Sequence, residues 1–328
     1  MRPRPSADAL MVRGDGLAPR YPSARSLLGF AVLAAALVGS SCSGEEAQLD
    51  ADHARDGSGA APAETDTLST TAIFFTDAAG REHRLEAPAQ RVISLVPSAT
   101  ETIRAIGAED ALVGVTDYDD GEWTGSLPSV GGGLEPNMES LVALHPDVVI
   151  RFHGEQDPRT PARLDDLGIP HVAVRPVALG DVYETNRIVG QLLGRPRVAD
   201  SLSSTIREGL ADLSQSVADL PRQRVVYMLG GSPPWVSGPD TYISDILTLA
   251  GGDNVFGDLT SPYQAVSPEE LRAREIDVVL VTRAGSYDAS LTPNARIEVV
   301  GDALQVPGPD VVEAARSMAE VIHGRPVH

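Results

Sequence analysis

One stretch of this chain occurs twice. Without any gap, Asn137-Met138-Glu139-Ser140-Leu141-Val142-Ala143-Leu144-His145-Pro146-Asp147-Val148-Val149 lies over Ser267-Pro268-Glu269-Glu270-Leu271-Arg272-Ala273-Arg274-Glu275-Ile276-Asp277-Val278-Val279. Glu139 matches Glu269, Leu141 matches Leu271, Ala143 matches Ala273, and Asp-Val-Val closes both copies. A helix leading into a strand, written twice, is one supersecondary unit in two α/β lobes, which excludes a single continuous sheet. In each copy a capping residue, Asn137 or Ser267, stands two places before the matched acid. Glu139 and Glu269 therefore fall in a first helical turn, where the helix dipole stabilises a carboxylate by about 0.3 to 1 kcal/mol. Spacing alone accounts for both acids without any function.

The rest of the chain fits two such lobes. Residues 73–75 and 82–85 flank Asp77-Ala78-Ala79-Gly80 and read as a hairpin. The apolar run 92–96 reads as a strand, and Ser98 with Glu101 three places on forms a capping box that predicts a helix over 98–107. A strand over 112–115, a helix over 137–144 into a strand at 147–150, and a helix over 162–167 into a strand at 171–174 continue the alternation. Strands alternating with helices predict a mostly parallel sheet covered on both faces. A helix over 182–193 closes at Gly194, and Pro196 opens a longer one. There Val198, Leu202, Ile206, Leu210, Leu213, Val217 and Leu220 form one apolar stripe. Unbroken from 196 to 219 it is roughly 35 Å long, enough to cross between lobes, with Gly209 as a weak point. Strands over 225–229 and 276–281 and helices over 242–249, 269–274 and 310–322 complete the alternation. The predicted fold class is α/β: two small lobes with mostly parallel sheets, 73–180 and 223–328, joined through 181–222 by one long backbone helix. Because a continuous helix resists hinge bending, little lobe movement is expected on ligand binding.

The first 72 residues read differently. Arg13, Arg20 and Arg25 precede an apolar run over 27–38 that is too short for a permanent bilayer span, followed by small residues up to Cys42. This is a signal peptide over 1–42, with Met11 an alternative start. Cys42 is the only cysteine, so no internal disulfide forms. Val38-Gly39-Ser40-Ser41-Cys42 resembles a bacterial lipoprotein processing site, although Gly39 departs from the usual Leu or Val. That resemblance implies lipidation of Cys42 and a membrane anchor; ordinary cleavage nearby is the alternative. Residues 43–72 are rich in Ala, Gly, Ser and acids and read as a flexible acidic tether. A formal charge of −20 argues against nucleic acid as a partner.

Taken in order, several segments resemble one family. They are Arg91-Val92-Ile93-Ser94-Leu95-Val96-Pro97-Ser98-Ala99-Thr100-Glu101, Ile106-Gly107 with Leu112-Val113-Gly114-Val115, both copies of the repeat, Ser232-Pro233-Pro234-Trp235-Val236-Ser237-Gly238, and Ala250-Gly251-Gly252-Asp253-Asn254-Val255-Phe256. From about residue 74 to 323 the chain resembles the helical-backbone class of periplasmic binding proteins, receptors of ABC importers for cobalamin, ferric siderophores or haem, and most of all the cobalamin binders. The resemblance implies an extracytoplasmic, monomeric capture protein without cofactor or catalysis. It implies that Glu139 and Glu269 dock on arginines of the permease. It also implies a metal-chelate ligand in a cleft between the lobes, near Tyr118, Gly133, Phe152, His153, Trp235, Tyr263 and Asp302. Core packing is the alternative for each aromatic, and a solvated loop for His153. The loop Gly131-Gly132-Gly133 stands where some cobalamin binders carry a bulky aromatic, which leaves a wider cleft or a different ligand open.

Two other classes fit less well. His53, His83, His145, His153, His171, His323 and His328 show no paired metal spacing, against a zinc or manganese receptor. No G-x-S-x-G, P-loop or dinucleotide-binding glycine pattern occurs, against an enzyme.

Overall fold

The computed structural model describes residues 72–119, 121–283, 285, 287–300 and 306–327. The expected signal peptide, the tether, Cys42 and Asp302 lie outside the described residues. The first half runs β1 (Ile73–Thr76), β2 (Glu82–Leu85), β3 (Val92–Ser94), α1 (Pro97–Ala105), β4 (Leu112–Gly114), α2 (Met138–Ala143), β5 (Val148–Phe152), α3 (Thr160–Asp166) and β6 (His171–Val174). Two helices follow, α4 (Leu179–Leu192) and α5 (Pro196–Ser216). The second half is β7 (Gln223–Gly230), β8 (Trp235–Ser237), α6 (Tyr242–Leu249), β9 (Gly252–Asn254), β10 (Tyr263–Ala265), α7 (Pro268–Ala273), β11 (Val278–Val281), β12 (Arg296–Val299) and α8 (Val311–His323).

The halves carry separate sheets. The first has the order β4-β3-β5-β6, every neighbour parallel. Its strands are apolar on both faces because both are covered. Val92, Val148, Ile150, Val172 and Val174 pack with residues of α1 and α4, whereas Ile93, Val149, Leu141 and Leu164 form the opposite core. The second sheet has the order β10-β8-β7-β11-β12, with β9 beside the start of β7. Its β9, β7, β11 and β12 are parallel, while β8 and β10 run antiparallel to their neighbours. The expected parallel frame is therefore present, with an antiparallel edge that the sequence did not announce.

The duplication is visible in backbone and side chains alike. Met138 to Pro268 and Val148 to Val278 are the same 130-residue step (268 − 138 = 278 − 148), so both helices and both strands begin in register. Leu141 and Leu271 are fully buried. Arg91 N–H donates to Asp147 Oδ2 at 2.9 Å and Arg224 N–H to Asp277 Oδ2 at 2.8 Å, and each Asp N–H returns a bond to that Arg carbonyl. The Asn137 side chain accepts from Glu139 N–H and Ser140 N–H, and Ser267 Oγ accepts from Glu270 N–H, so the two expected caps form.

Two local expectations are corrected. The first helix starts at Pro97, not Ser98: proline pre-sets the helical φ at the first position, Val96 becomes the cap residue, and Ser98 makes no cap bond. Glu101 instead accepts from Trp123 Nε1–H at 3.3 Å. The second correction concerns Gly209, which does not weaken α5. A Cβ there would stand 2.8 Å from Val312 Cγ1, so this glycine allows α8 to pack closely.

Two helices, α4 and α5, connect the halves. At 21 residues α5 is about 32 Å long. Its Ala199 lies in the first core, its Ile206, Leu210, Leu213 and Val217 lie in the second, and Leu202 touches both. Helix α4 runs the other way, with Val182 in the second core and Ile188, Val189 and Leu192 in the first. The two meet closely, since a Cβ on Gly190 would lie 2.4 Å from Ala199 Cβ and 3.3 Å from the Arg195 carbonyl. Gly190→Leu should therefore cost about 1–3 kcal/mol of stability despite the better helix propensity of leucine. A thermal melt is the check, and an unchanged midpoint would mean that this contact does not set the helix spacing.

Candidate functional site

In open α/β sheets a ligand binds beyond the carboxyl ends of the strands. Here the two halves touch at two places. A Cβ on Gly308, which precedes α8 in the second half, would lie 3.9 Å from Glu101 Cβ and 3.9 Å from Ser98 Cα on α1. Elsewhere, Tyr242 N–H donates to Val177 O at 2.8 Å and Leu179 N–H to Asp245 Oδ2 at 3.0 Å, tying the segment after β6 to the start of α6. Burial pushes the Glu101 carboxyl up, with Asp310 and Asp119 adding to the rise against the pull of Trp123 and Arg104. The space between these contacts is the candidate site.

Four of the expected residues lie at strand ends or just beyond them. Tyr118, 47% exposed, lies in the loop after β4, whose turn is held by Thr116 N–H and Oγ1–H donating to Asp119 Oδ2. Phe152 ends β5 half-buried, and exposed His153 follows, its N–H donating to Val174 O at 2.8 Å. On the other sheet Trp235, 46% exposed, pairs with Gly230 at the end of β7, next to exposed Leu229.

Two residues depart from expectation. Tyr263 pairs with Ser237, two positions back from the rim where Ala265 meets Trp235, and it packs on the second core. Burial pushes its phenol up to about 12, and packing accounts for it. Gly133 is buried, and a Cβ there would lie 2.4 Å from Leu95 O and 3.2 Å from the Phe152 ring. This glycine lets its loop close onto the end of β3 and brace Phe152, rather than leaving an opening.

A buried polar network supports that rim from below. Arg151 on β5 donates from Nε to His171 Nδ1 at 2.8 Å and from Nη1 to the Phe152 carbonyl at 2.7 Å. Because Arg151 always donates, His171 Nδ1 accepts, and Nε2 stands within reach of both Arg81 Nη1 at 2.9 Å and Asp165 Oδ1 at 3.1 Å. Burial, with Arg151 and Arg81 beside it, holds this imidazole below its usual pKa. Among the described residues no group of three or more His, Cys, Asp or Glu is arranged to hold a metal, and no helix is long and apolar enough to cross a membrane. Sequence reading missed Leu229 and Trp123. Leu229 sits in an apolar strand, where its exposure carries no pattern, and Trp123 lies in a loop without periodicity.

Glu139 and Glu269 are exposed at the first turns of α2 and α7. Each helix leads through a short connection into the amino end of its strand, so each glutamate stands at the carboxyl-end side of its sheet.

Residues 92–296 match the family model described as periplasmic binding protein. A cobalamin-binding protein of Halobacterium salinarum is 29% identical over 286 residues, spanning 80% of this chain and 77% of that one. The periplasmic vitamin B12 binding protein BtuF of Vibrio cholerae superposes with a TM-score of 0.64 at 25% identity, covering 72% of this chain and 97% of that one. The apo form of the periplasmic heme-binding protein RhuT from Roseiflexus sp. RS-1 shares the fold, with a TM-score of 0.63 at 24% identity over 72% and 98%. Two duplicated α/β halves and a family match across most of the described chain agree: this protein belongs to the periplasmic binding protein family, a family of solute binders rather than enzymes.

Proposed function

We propose that this chain captures cobalamin outside the cytoplasm and delivers it to an ABC permease, anchored to the membrane through acylated Cys42. The observation that carries the ligand is the match to a cobalamin-binding protein across four-fifths of the chain. Exposed apolar side chains on both rims, Tyr118 on one and Trp235 and Leu229 on the other, support it. A flat corrin ring would lie between Tyr118 and Trp235, with Phe152 and His153 along its edge. Docking is assigned to Glu139 and Glu269, because two repeat-related carboxylates on the same side of both sheets suit a pseudo-symmetric partner. Tyr263 and Gly133 act by packing rather than by ligand contact, and Asp302 remains a contact proposed from resemblance alone.

Titrating the purified protein with cyanocobalamin, haemin and a ferric siderophore tests the reading. Cyanocobalamin should bind tightest; preference for haemin or the siderophore would move the ligand to that class, with His153 then the candidate iron ligand. Trp235→Ala should weaken binding about tenfold, since a buried ring contact is lost together with its stacking. A fluorescence or calorimetric titration reads this, and unchanged affinity would place the ring elsewhere.

A further inference from the structure

Beneath the strand end that carries Phe152 and His153 lies a charge that the proposed capture does not use. Arg151 is buried inside β5, the strand between β3 and β6, where a guanidinium is costly unless its donors are engaged. Successive residues of a strand face opposite ways, so Arg151 lies on the α3 side of the sheet while Phe152 packs on the other core. It therefore acts on the backbone. The peptide joining Phe152 to His153 is fixed at both ends: its carbonyl accepts from Arg151 Nη1 at 2.7 Å and its N–H donates to Val174 O at 2.8 Å. Asp157, in the loop after β5, has Oδ2 buried without a hydrogen bond and feels the charge of the same guanidinium, as do Asp77 and Asp165.

The other partner of Arg151 can change its charge. His171, buried at the start of β6, accepts from Arg151 Nε at 2.8 Å on Nδ1. Arg81 from the hairpin turn and Asp165 from α3 face its Nε2 at 2.9 and 3.1 Å. Glu82 and His83 line the same cavity, His83 bonded to Asp77 at 3.0 Å. An imidazolium carries hydrogen on both nitrogens. Protonation of His171 thus sets N–H against N–H at the contact with Arg151 and adds a third positive charge beside Arg151 and Arg81. Asp165 favours that proton, but burial and the two guanidinium groups outweigh it and hold the imidazole neutral to below its ordinary range.

We propose that Arg151 is a positioning residue for ligand capture, holding the Phe152–His153 peptide in place, and that protonation of His171 releases it, so that affinity falls in acid. This rests on the reading that a metal-chelate ring lies against Phe152 and His153. Affinity is full while His171 is neutral and declines as pH drops through its lowered folded value.

The full chain, as wild type, H171N and R151M, is titrated with cyanocobalamin and with haemin between about pH 7.5 and about pH 4.5. Asparagine offers Oδ1 where Nδ1 stands and does not titrate. H171N should match wild type at the upper end and keep its affinity downward. Wild type should lose about tenfold, as when one molecule in ten keeps the peptide in place. The ratio of the two proteins at each pH cancels titration of His153 and of the ligand. R151M should be about tenfold weaker than wild type at the upper end, with a pH profile like that of H171N. Amide exchange of the ligand-free chain reads the peptide directly: protection of His153 N–H should fall in acid in wild type and persist in H171N. Thermal midpoints at each pH establish that the titrated proteins are folded, and if R151M melts early the wild type and H171N decide alone. If wild type and H171N trace the same pH curve, or folded R151M binds as wild type does at the upper end, the inference is overturned and the ring reading stands. A wild type that binds neither ligand would overturn both.

Discussion

A chain carrying Glu139→Arg and Glu269→Arg together is expected to bind ligand at wild-type affinity and to support no measurable uptake. Neither glutamate holds its helix together, because the caps are made by Asn137 and Ser267, and the reciprocal bond to Ser267 N–H comes from Glu270. Glu139 makes no ion pair among the described residues, and Glu269 has only Arg272, 3.9 Å away on an exposed helix face, a contact of little consequence. Reversing both charges thus leaves the fold and the strand-end rims untouched. It would place like charges against the permease at two repeat-related points, which raises the energy of the docked complex and slows encounter. Transport in cells or vesicles should fall at least 100-fold while the dissociation constant stays within about twofold. Uptake at the wild-type rate would end the docking assignment. Glu270→Arg is the informative neighbour: it should lower stability by removing the cap and leave transport of the folded fraction unchanged.

Asp77→Ala should be the most destabilising single substitution in the first half, costing about 3 kcal/mol or more at neutral pH. One carboxylate accepts from Ala79, Arg81 and Ala173 N–H and from His83 Nε2–H, so it shapes the hairpin turn and fastens it over the open edge of β6. Ala78 N–H adds a bond to the Ala173 carbonyl, and His83 stacks on Phe75 with ring centres 5.0 Å apart. Burial alone would raise the Asp77 pKa, but the bonds from His83, Ala173 and Arg81 outweigh it and bring it down to about 2. A depressed folded pKa means the unfolded chain binds the proton more tightly, so the stabilisation is complete above about pH 4. It is lost as pH falls through about 2, and it amounts to about 2 kcal/mol. Denaturant unfolding across that window should show the loss in wild type and a flatter profile in the variant. Parallel profiles would mean that another carboxylate governs acid unfolding.

Local signals made much of this fold legible. Asn137 and Ser267 were readable as caps because a side-chain acceptor two or three places before free N–H groups is sufficient to start a helix, and both helices begin directly after them. The stripe from Val198 to Val217 was readable because one helix had to cover two cores. What failed depended on distant partners. Strands β8, β9 and β10 have three residues each, too few for a period, and exist because β7 and β8 offer them edges. Ser98 carried a capping pattern that the preceding proline displaced by one position. Tyr263 sits beside turn residues, which favoured exposure, but its register against Ser237 turns it onto the second core. Gly133 and Gly209 were read as a gap and a weak point, although each marks a close approach that only the packed structure reveals. At the site, the rim aromatics were reached through resemblance.

The path of the chain between the halves also determines how the molecule comes apart. Residues 175–178 carry it from the first sheet to the second core, α4 brings it back, and α5 takes it over again, each helix donating apolar side chains to both interiors. A cut on either side of the helix pair would strip Val182 from one core or Ala199 from the other and expose the stripe that remains. Neither half is therefore an autonomous folding unit. The protein should melt as one cooperative body, with no surviving fragment that still presents half a site.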